Sequence, residues 1–295
     1  MVSTLLKIQQ KDVAALTPQK KIKQATLINS IFIEIKTLTE RLYIQASRRP
    51  STLLAGVIQP LLWLVLFGAL FQNAPVSLLT SETTYGNFLS PGIIIFTAFT
   101  GSINAGLPLM FDREFGFLNR ILMSPMYFHD SILFSSIFFI TTITIIQTVI
   151  VIACSSIMFA NVTSIPQLSI ILLIIFFITL SASSISICFA FILPGHIELL
   201  AFILIINLPM LFSSTALAPL SFMPSWLQII ASINPLTYAI ESIRSIFIQE
   251  HIYVENIIMH SIWFDLRLID TIYLLIFSNI MSFFLVKNII SYKFE

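Results

Sequence analysis

Five stretches of this chain contain no Asp, Glu, Lys or Arg: residues 50–81, 83–111, 131–197, 199–240 and 271–286. No other feature constrains the fold as strongly. In lipid the backbone N–H and C=O groups must find partners within the segment itself, and an α-helix supplies them. One crossing takes about 20 mostly apolar residues. The first, second and last stretches each hold one crossing, and 131–197 holds two, with a turn at "FANVTSIPQ" (159–167). The lengths predict helices near 52–71, 87–109, 131–158, 167–193, 198–218 and 269–289, six in all. Only 10% of the residues are charged and 57% are hydrophobic, whereas about a quarter of a soluble domain is charged. The fold class expected is an all-α integral membrane protein. A net charge of +1 gives no reason to expect nucleic acid as a partner.

Basic residues set the expected orientation, because loops on the cytoplasmic side are enriched in Lys and Arg. Nine of the fifteen precede the first span, the loop at 72–86 has none, the loop at 110–130 has Arg113 and Arg120, and the tail has Lys287 and Lys293. This alternation puts both termini on the cytoplasmic or stromal side. Arg244 and Arg267 fall in the 219–268 region, expected outside, against the trend.

The chain divides into a polar basic tail (1–26), an amphipathic interfacial helix (27–49) and a transmembrane domain (50–295). The tail lacks a signal-peptide core, so no cleaved secretory signal is expected. In "LINSIFIEIKTLTERLYIQASRRP", Ile28, Ile31, Ile35, Leu38 and Leu42 recur at helical spacing, while Glu34, Glu40 and Arg41 mark a polar side. Such a helix lies on the membrane surface with Arg48 and Arg49 at the headgroups, or packs as a solvated helix on a partner. Before the last span, "PLSFMPSWLQIIASINPLTYAI" (219–240) is apolar but broken by Pro219, Pro224 and Pro235. Proline disrupts a helix interior, so short re-entrant helices fit better than a seventh span.

The missing chemistry narrows the function. No phosphate-binding G-x-x-x-x-G-K-[ST], no H-E-x-x-H and no G-x-S-x-G occurs, so no nucleotide, metal or catalytic site is expected in this chain. Cys154 and Cys188 read as small helix residues, and His196 as structural. Ion-driven carriers hold ionisable groups within the membrane, and the six expected spans hold essentially none. Small residues four apart, Gly101 with Ala105 and Ser102 with Gly106, and "SASSIS" (181–186) suit close helix packing or a polar path. Against this background "LPLMFDREFGFLNRILMSP" (107–125) stands out, with Asp112, Arg113, Glu114 and Arg120 between two apolar segments.

The stretch "GIIIFTAFTGSINAGLPLMFDREFGFLNRILMSP" (92–125), with "INPLTYAIESIR" (233–244) before the last span, resembles the membrane subunits of ABC transporters of the type-2 exporter permease family. "LAGVIQPLLWLVLFGALFQ" (54–72) is closest in character to cyanobacterial and algal-plastid members. The resemblance covers about 45–295 and implies a separate ATP-binding subunit that binds the ATP, a homodimer of the permease, and a plastid or bacterial inner membrane. It implies that Asp112, Arg113, Glu114 and Arg120 make polar contacts in a cleft of the ATPase, with Phe115, Phe117 and Leu118 as apolar anchors. It further implies an outer gate shaped by Asn234, Pro235, Tyr238, Glu241 and Arg244. On a helix Glu241 and Arg244 are close enough to pair, or they make a solvated surface contact. Two other classes stay open: a passive channel or scaffold, and a lipid-modifying membrane enzyme, which would need a cluster of acid, base or metal ligands.

Overall fold

The computed structural model describes residues 27–71, 85–124, 126–128, 130–159, 164–248, 257–260 and 265–294. The helices are α1 (Leu27–Ser47), α2 (Pro50–Leu70), α3 (Tyr85–Ile103), α4 (Gly106–Glu114), α5 (Phe117–Leu122), α6 (Ser131–Phe159), α7 (Ile165–Ile192), α8 (His196–Phe212), α9 (Ser225–Ile233), α10 (Pro235–Ile248) and α11 (Leu268–Phe294). A two-stranded antiparallel ribbon, β1 (Ile257–His260) and β2 (Asp265–Arg267), precedes α11, pairing His260 with Asp265. The amino-terminal tail and the 72–84 loop lie outside the described residues.

Among the described residues, five helical segments are long and apolar enough to cross a membrane: Pro50–Leu70, Tyr85–Glu114, Ser131–Phe159, Ile165–Ile192 and Leu268–Asn288. Many of their hydroxyls bond back into their own helices, which spares lipid an unpaired polar group. Thr97 donates to the Ile93 carbonyl at 2.7 Å, Thr144 to Ile140 at 2.7 Å and Thr148 to Thr144 at 2.6 Å.

α8 differs from the expected 198–218. It is 17 residues long and ends at Phe212. Pro209 removes one backbone donor within it. Asn234, 24 residues further on, donates its amide to the Met210 carbonyl (3.2 Å) and to the Ser213 hydroxyl (3.2 Å). A side chain from another element thus takes over carbonyls that would otherwise continue the helix. Beyond it the prolines act as expected: a 3₁₀ turn at Leu220–Phe222 and the short helices α9 and α10 replace a long span.

α3 is the centre of the packing. Leu89, Ile93, Ile94, Ile95 and Ala98 are fully buried, among Ile171, Ile174 and Ile175 of α7 and Leu236, Ile240 and Ile243 of α10. α6 and α2 pack on other sides of α3, α11 packs on α7, and α1 packs on α6. α2 and α11 are peripheral and leave most of their apolar surface uncovered, as lipid-facing helices do. Cys154 and Cys188 are free thiols, and Cys188 is buried in an apolar cluster with Leu109 and Ile187.

The expected 87–109 span is broken at Asn104 and Ala105, where α3 passes into α4. Ser186 of α7 spans the break. Its hydroxyl accepts from the Gly106 N–H at 2.9 Å and donates to the Ile103 carbonyl. A Cβ on Gly106 would sit 2.5 Å from the Ser186 carbonyl oxygen, so only glycine permits this approach. Gly106 and "SASSIS", read separately in the sequence as packing signals, therefore meet at one contact.

Candidate functional site

The polar segment after the second span folds as two short helices. α4 and α5 are separated by Gly116, whose φ of 72° lies in the left-handed region that glycine adopts without a Cβ penalty. The turn redirects the chain so that Leu118, 4% exposed, anchors α5 in an apolar cluster with Leu109, Ile132 and Val286.

Three consecutive charges leave α4 toward three different elements of the same chain. Asp112 forms an ion pair with Arg41 of α1, and the Arg41 guanidinium lies over the Phe117 ring, 4.7 Å from its centroid. Arg113 reaches the end of α7. Its Nη1 donates to the Ala190 and Phe191 carbonyls at 2.7 and 3.0 Å, and its Nη2 donates to those of Leu193 and, at 2.8 Å, Pro194. The last carbonyls of a helix have no partner within it, and a cation is favoured there. The planar fork of arginine supplies several donors at once. Glu114 turns to the start of α8, where its Oε2 accepts from the His196 backbone N–H (3.2 Å) and lies 2.6 Å from His196 Nδ1. A carboxylate at a helix N-terminus answers free N–H groups and the positive end of the dipole. Glu34 of α1 holds the segment that leads into α6, accepting from the Tyr127 N–H (2.8 Å) and the Ser131 hydroxyl (3.2 Å).

Asp112, Arg113 and Glu114 are therefore already partnered within the chain, and what they build is a frame. α4 is joined to α1, α7 and α8, and α1 is joined to α6. Large apolar side chains project from the frame beside a charge. Phe115 is 76% exposed and Met123 89%, Phe117 and Tyr127 are exposed, and so is Arg120. Phe111 and Phe115 stack at 6.1 Å, and Phe111 lies 5.2 Å from the His196 ring.

The second set of residues is brought together in α9 and α10. Asn234 ends α9, and its Oδ1 accepts from the Leu236 N–H at 3.0 Å, so it also starts α10, in which Pro235 is the first residue. Tyr238 donates its hydroxyl to the Ser232 carbonyl. Glu241 and Arg244 are paired, and the pair is buried, not solvated: the Arg244 side chain is 9% exposed and that of Glu241 17%. Arg244 also donates to the Thr215 carbonyl (2.7 Å) and the Phe88 carbonyl (3.3 Å) and stacks on the Phe88 ring at 3.8 Å. α10 is thereby fastened to the top of α3 and to the turn after α8.

Arg41, Glu34, His196 and Ser186 join the site from elements distant in sequence. Arg41 and Glu34 bond to groups 71 and 93 positions away, and no local pattern reports such pairing. One signal existed for His196: it directly follows "PG" at the start of a helix that has no acidic N-cap of its own. Among the described residues no group of three or more His, Cys, Asp or Glu is placed to hold a metal ion.

Residues 33–248 match the family model described as ABC-2 type transporter. The chain is 53% identical over 261 residues to a protein named as the transport permease ycf38 of Porphyra purpurea, covering 88% of this chain and 89% of that one. To its namesake in Cyanophora paradoxa the identity is 45% over 269 residues, with 91% and 93% covered. A more distant relative, the doxorubicin resistance ABC transporter permease protein DrrC of Mycobacterium tuberculosis, is 26% identical over 219 residues, with 70% and 74% covered.

Proposed function

The chain belongs to the ABC-2 type transporter family, and from that premise we propose that it is the membrane permease of an ATP-driven exporter, moved by a separate ATP-binding subunit that docks on the segment 106–124. Permeases of this family are transport subunits that work with such a partner. One observation carries the docking assignment. An exposed apolar ridge, Phe115, Phe117 and Met123 with Arg120, stands on a frame bonded to α1, α7 and α8. Exposed aromatic and apolar groups are what a protein interface buries. A push on this ridge reaches α1 through Arg41, α7 through Arg113 and α8 through His196, so the helices tilt together. The roles proposed for Asp112, Arg113 and Glu114 thus shift from touching the ATPase to passing on its motion.

Several further features belong to this reading. α8 spans about 25 Å at helical rise, within reach of a thin crossing, so six crossings return the chain to the side it began on, cytoplasmic or stromal. α1 lies along that surface, presenting Phe32, Ile33 and Ile44 outward beside Lys36 and Glu40. A second copy of the permease completes the path, and the buried 234–244 cluster forms its outer gate. The algal relatives support a plastid membrane as the location.

The test is purification of the full-length permease in mild detergent. An ATP-binding subunit co-purifies, and Glu114→Ala preserves insertion and subunit binding while uncoupling ATP hydrolysis from transport. Transport that proceeds without ATP, in a preparation with no nucleotide-binding protein, overturns the proposal.

A further inference from the structure

A cleft of about 390 Å³ opens between α1, α2, α3, α4 and α6, and the exporter reading does not use it. It sits where α1 turns into α2, at the polar end of the bundle. Seven polar side chains line it: Gln45, Arg49, Thr52, Gln59, Thr100, Asn104 and Gln147. The remaining lining is apolar, with Phe111 and Phe139 among it. Of all the lining residues Arg49 alone is charged, and no acid faces it there. Arg49 is exposed and makes no ion pair among the described residues.

The depth of the cleft is fixed by close packing. Gln147 of α6 donates to the Leu53 carbonyl at 3.1 Å. A Cβ on Gly56 would sit 2.5 Å from its Nε2, and one on Gly101 3.3 Å from its Oε1. Two glycines from two helices thus admit one amide between them, and the floor is polar in a region where lipid-facing surface is apolar. Asn104 donates its amide to the Thr100 carbonyl at 2.7 Å, which holds a second amide in the wall.

We propose that this cleft binds one anionic phospholipid of the leaflet that meets the α1–α2 junction. Arg49 takes the phosphate, since arginine matches phosphate with paired charge-assisted donors. The amides of Gln45, Asn104 and Gln147 hydrogen-bond the ester region, and the apolar wall receives the upper acyl chains. The volume falls in the range of small-molecule sites and is too small for a whole two-chain lipid, so the chain ends extend into the bilayer. α1 and α2 are joined by the short link at Arg48 and Arg49, and a lipid seated there ties this hinge to α3 and α6. The inference does not depend on which leaflet that is, nor on the transport reading.

The experiment uses full-length permease in phosphatidylcholine nanodiscs titrated with phosphatidylglycerol. It reads the unfolding midpoint and, by native mass spectrometry, the phospholipid retained per chain. The expected result is a saturable rise in midpoint with one phosphatidylglycerol retained. Arg49→Gln needs about tenfold more phosphatidylglycerol. Arg48→Gln, a neighbour outside the cleft, matches wild type. Ala55→Trp, at an exposed lining position of α2, fills the cleft and loses the retained lipid. Equal weakening by Arg48→Gln and Arg49→Gln would mean general surface attraction and overturns the site. So does retention in Ala55→Trp, or the same rise in midpoint with inorganic phosphate, which would make it a free-anion site.

Discussion

Replacing Arg244 by Leu removes the one cation that fastens α10 to the rest of the bundle, and the structure sets the size of the effect. Glu241 and Arg244 share a helix three residues apart, so their pairing survives when α10 separates from its neighbours, and separation does not break it. What separation breaks is the hold of Arg244 on other elements. One charge-assisted bond, to Thr215 at 2.7 Å, contributes about 1.5–3 kcal/mol. The bond to Phe88 is long at 3.3 Å and adds little, while the guanidinium stacked 3.8 Å over the Phe88 ring adds about 0.5–2 kcal/mol. Arg244→Leu should therefore destabilise the protein by about 2–5 kcal/mol. Arg244→Lys keeps the charge but neither the fork nor the planar stacking surface, and should recover less than half. Glu241→Gln keeps a hydrogen-bond acceptor and should cost less than Arg244→Leu. The measurement is reversible unfolding in mixed micelles, with a double-mutant cycle over Arg244 and Phe88. A loss below about 1 kcal/mol for Arg244→Leu, additive with Phe88→Leu, would show that the cation stays hydrated and that the reasoning fails.

Two further substitutions test the frame around α4. Ser186→Ala strands the Gly106 N–H at the α3–α4 break and should cost about 1–3 kcal/mol in the same unfolding assay; an unchanged protein would mean that another donor or acceptor heals the break. Gly116→Ala meets no atom within 4 Å, so its only penalty is the left-handed backbone, about 1–2 kcal/mol, and a loss well beyond that would point to contacts the turn does not make.

The sequence could be read furthest where the information was local. Long apolar stretches free of charge hold helices in lipid because the backbone must pair within the segment, and the ends of α2, α6 and α7 fall within a few residues of the expected bounds. Three prolines in 219–240 made short helices the only outcome, because each removes a backbone donor at a known position. The expected fifth span ran six residues too long, since the group that ends α8 is the amide of Asn234, which belongs to the next part of the fold.

The charged segment shows the same division. Composition alone marked Asp112, Arg113, Glu114 and Arg120 as out of place in an apolar chain. Their directions came only from the tertiary structure: Asp112 to Arg41, Arg113 to the last carbonyls of α7, Glu114 to the start of α8, and Arg120 to solvent. A side chain's type says that it needs a partner; which partner it gets depends on helix ends brought within 3 Å from 71 to 82 residues away. The sequence by itself thus determined a multi-helix membrane chain with one polar segment among its spans. Only the tertiary structure decided that three of those charges serve as joints of a frame, leaving apolar side chains such as Phe115 and Met123 to face out, because a charged group settles where packing delivers its counter-charge or its hydrogen-bond partners.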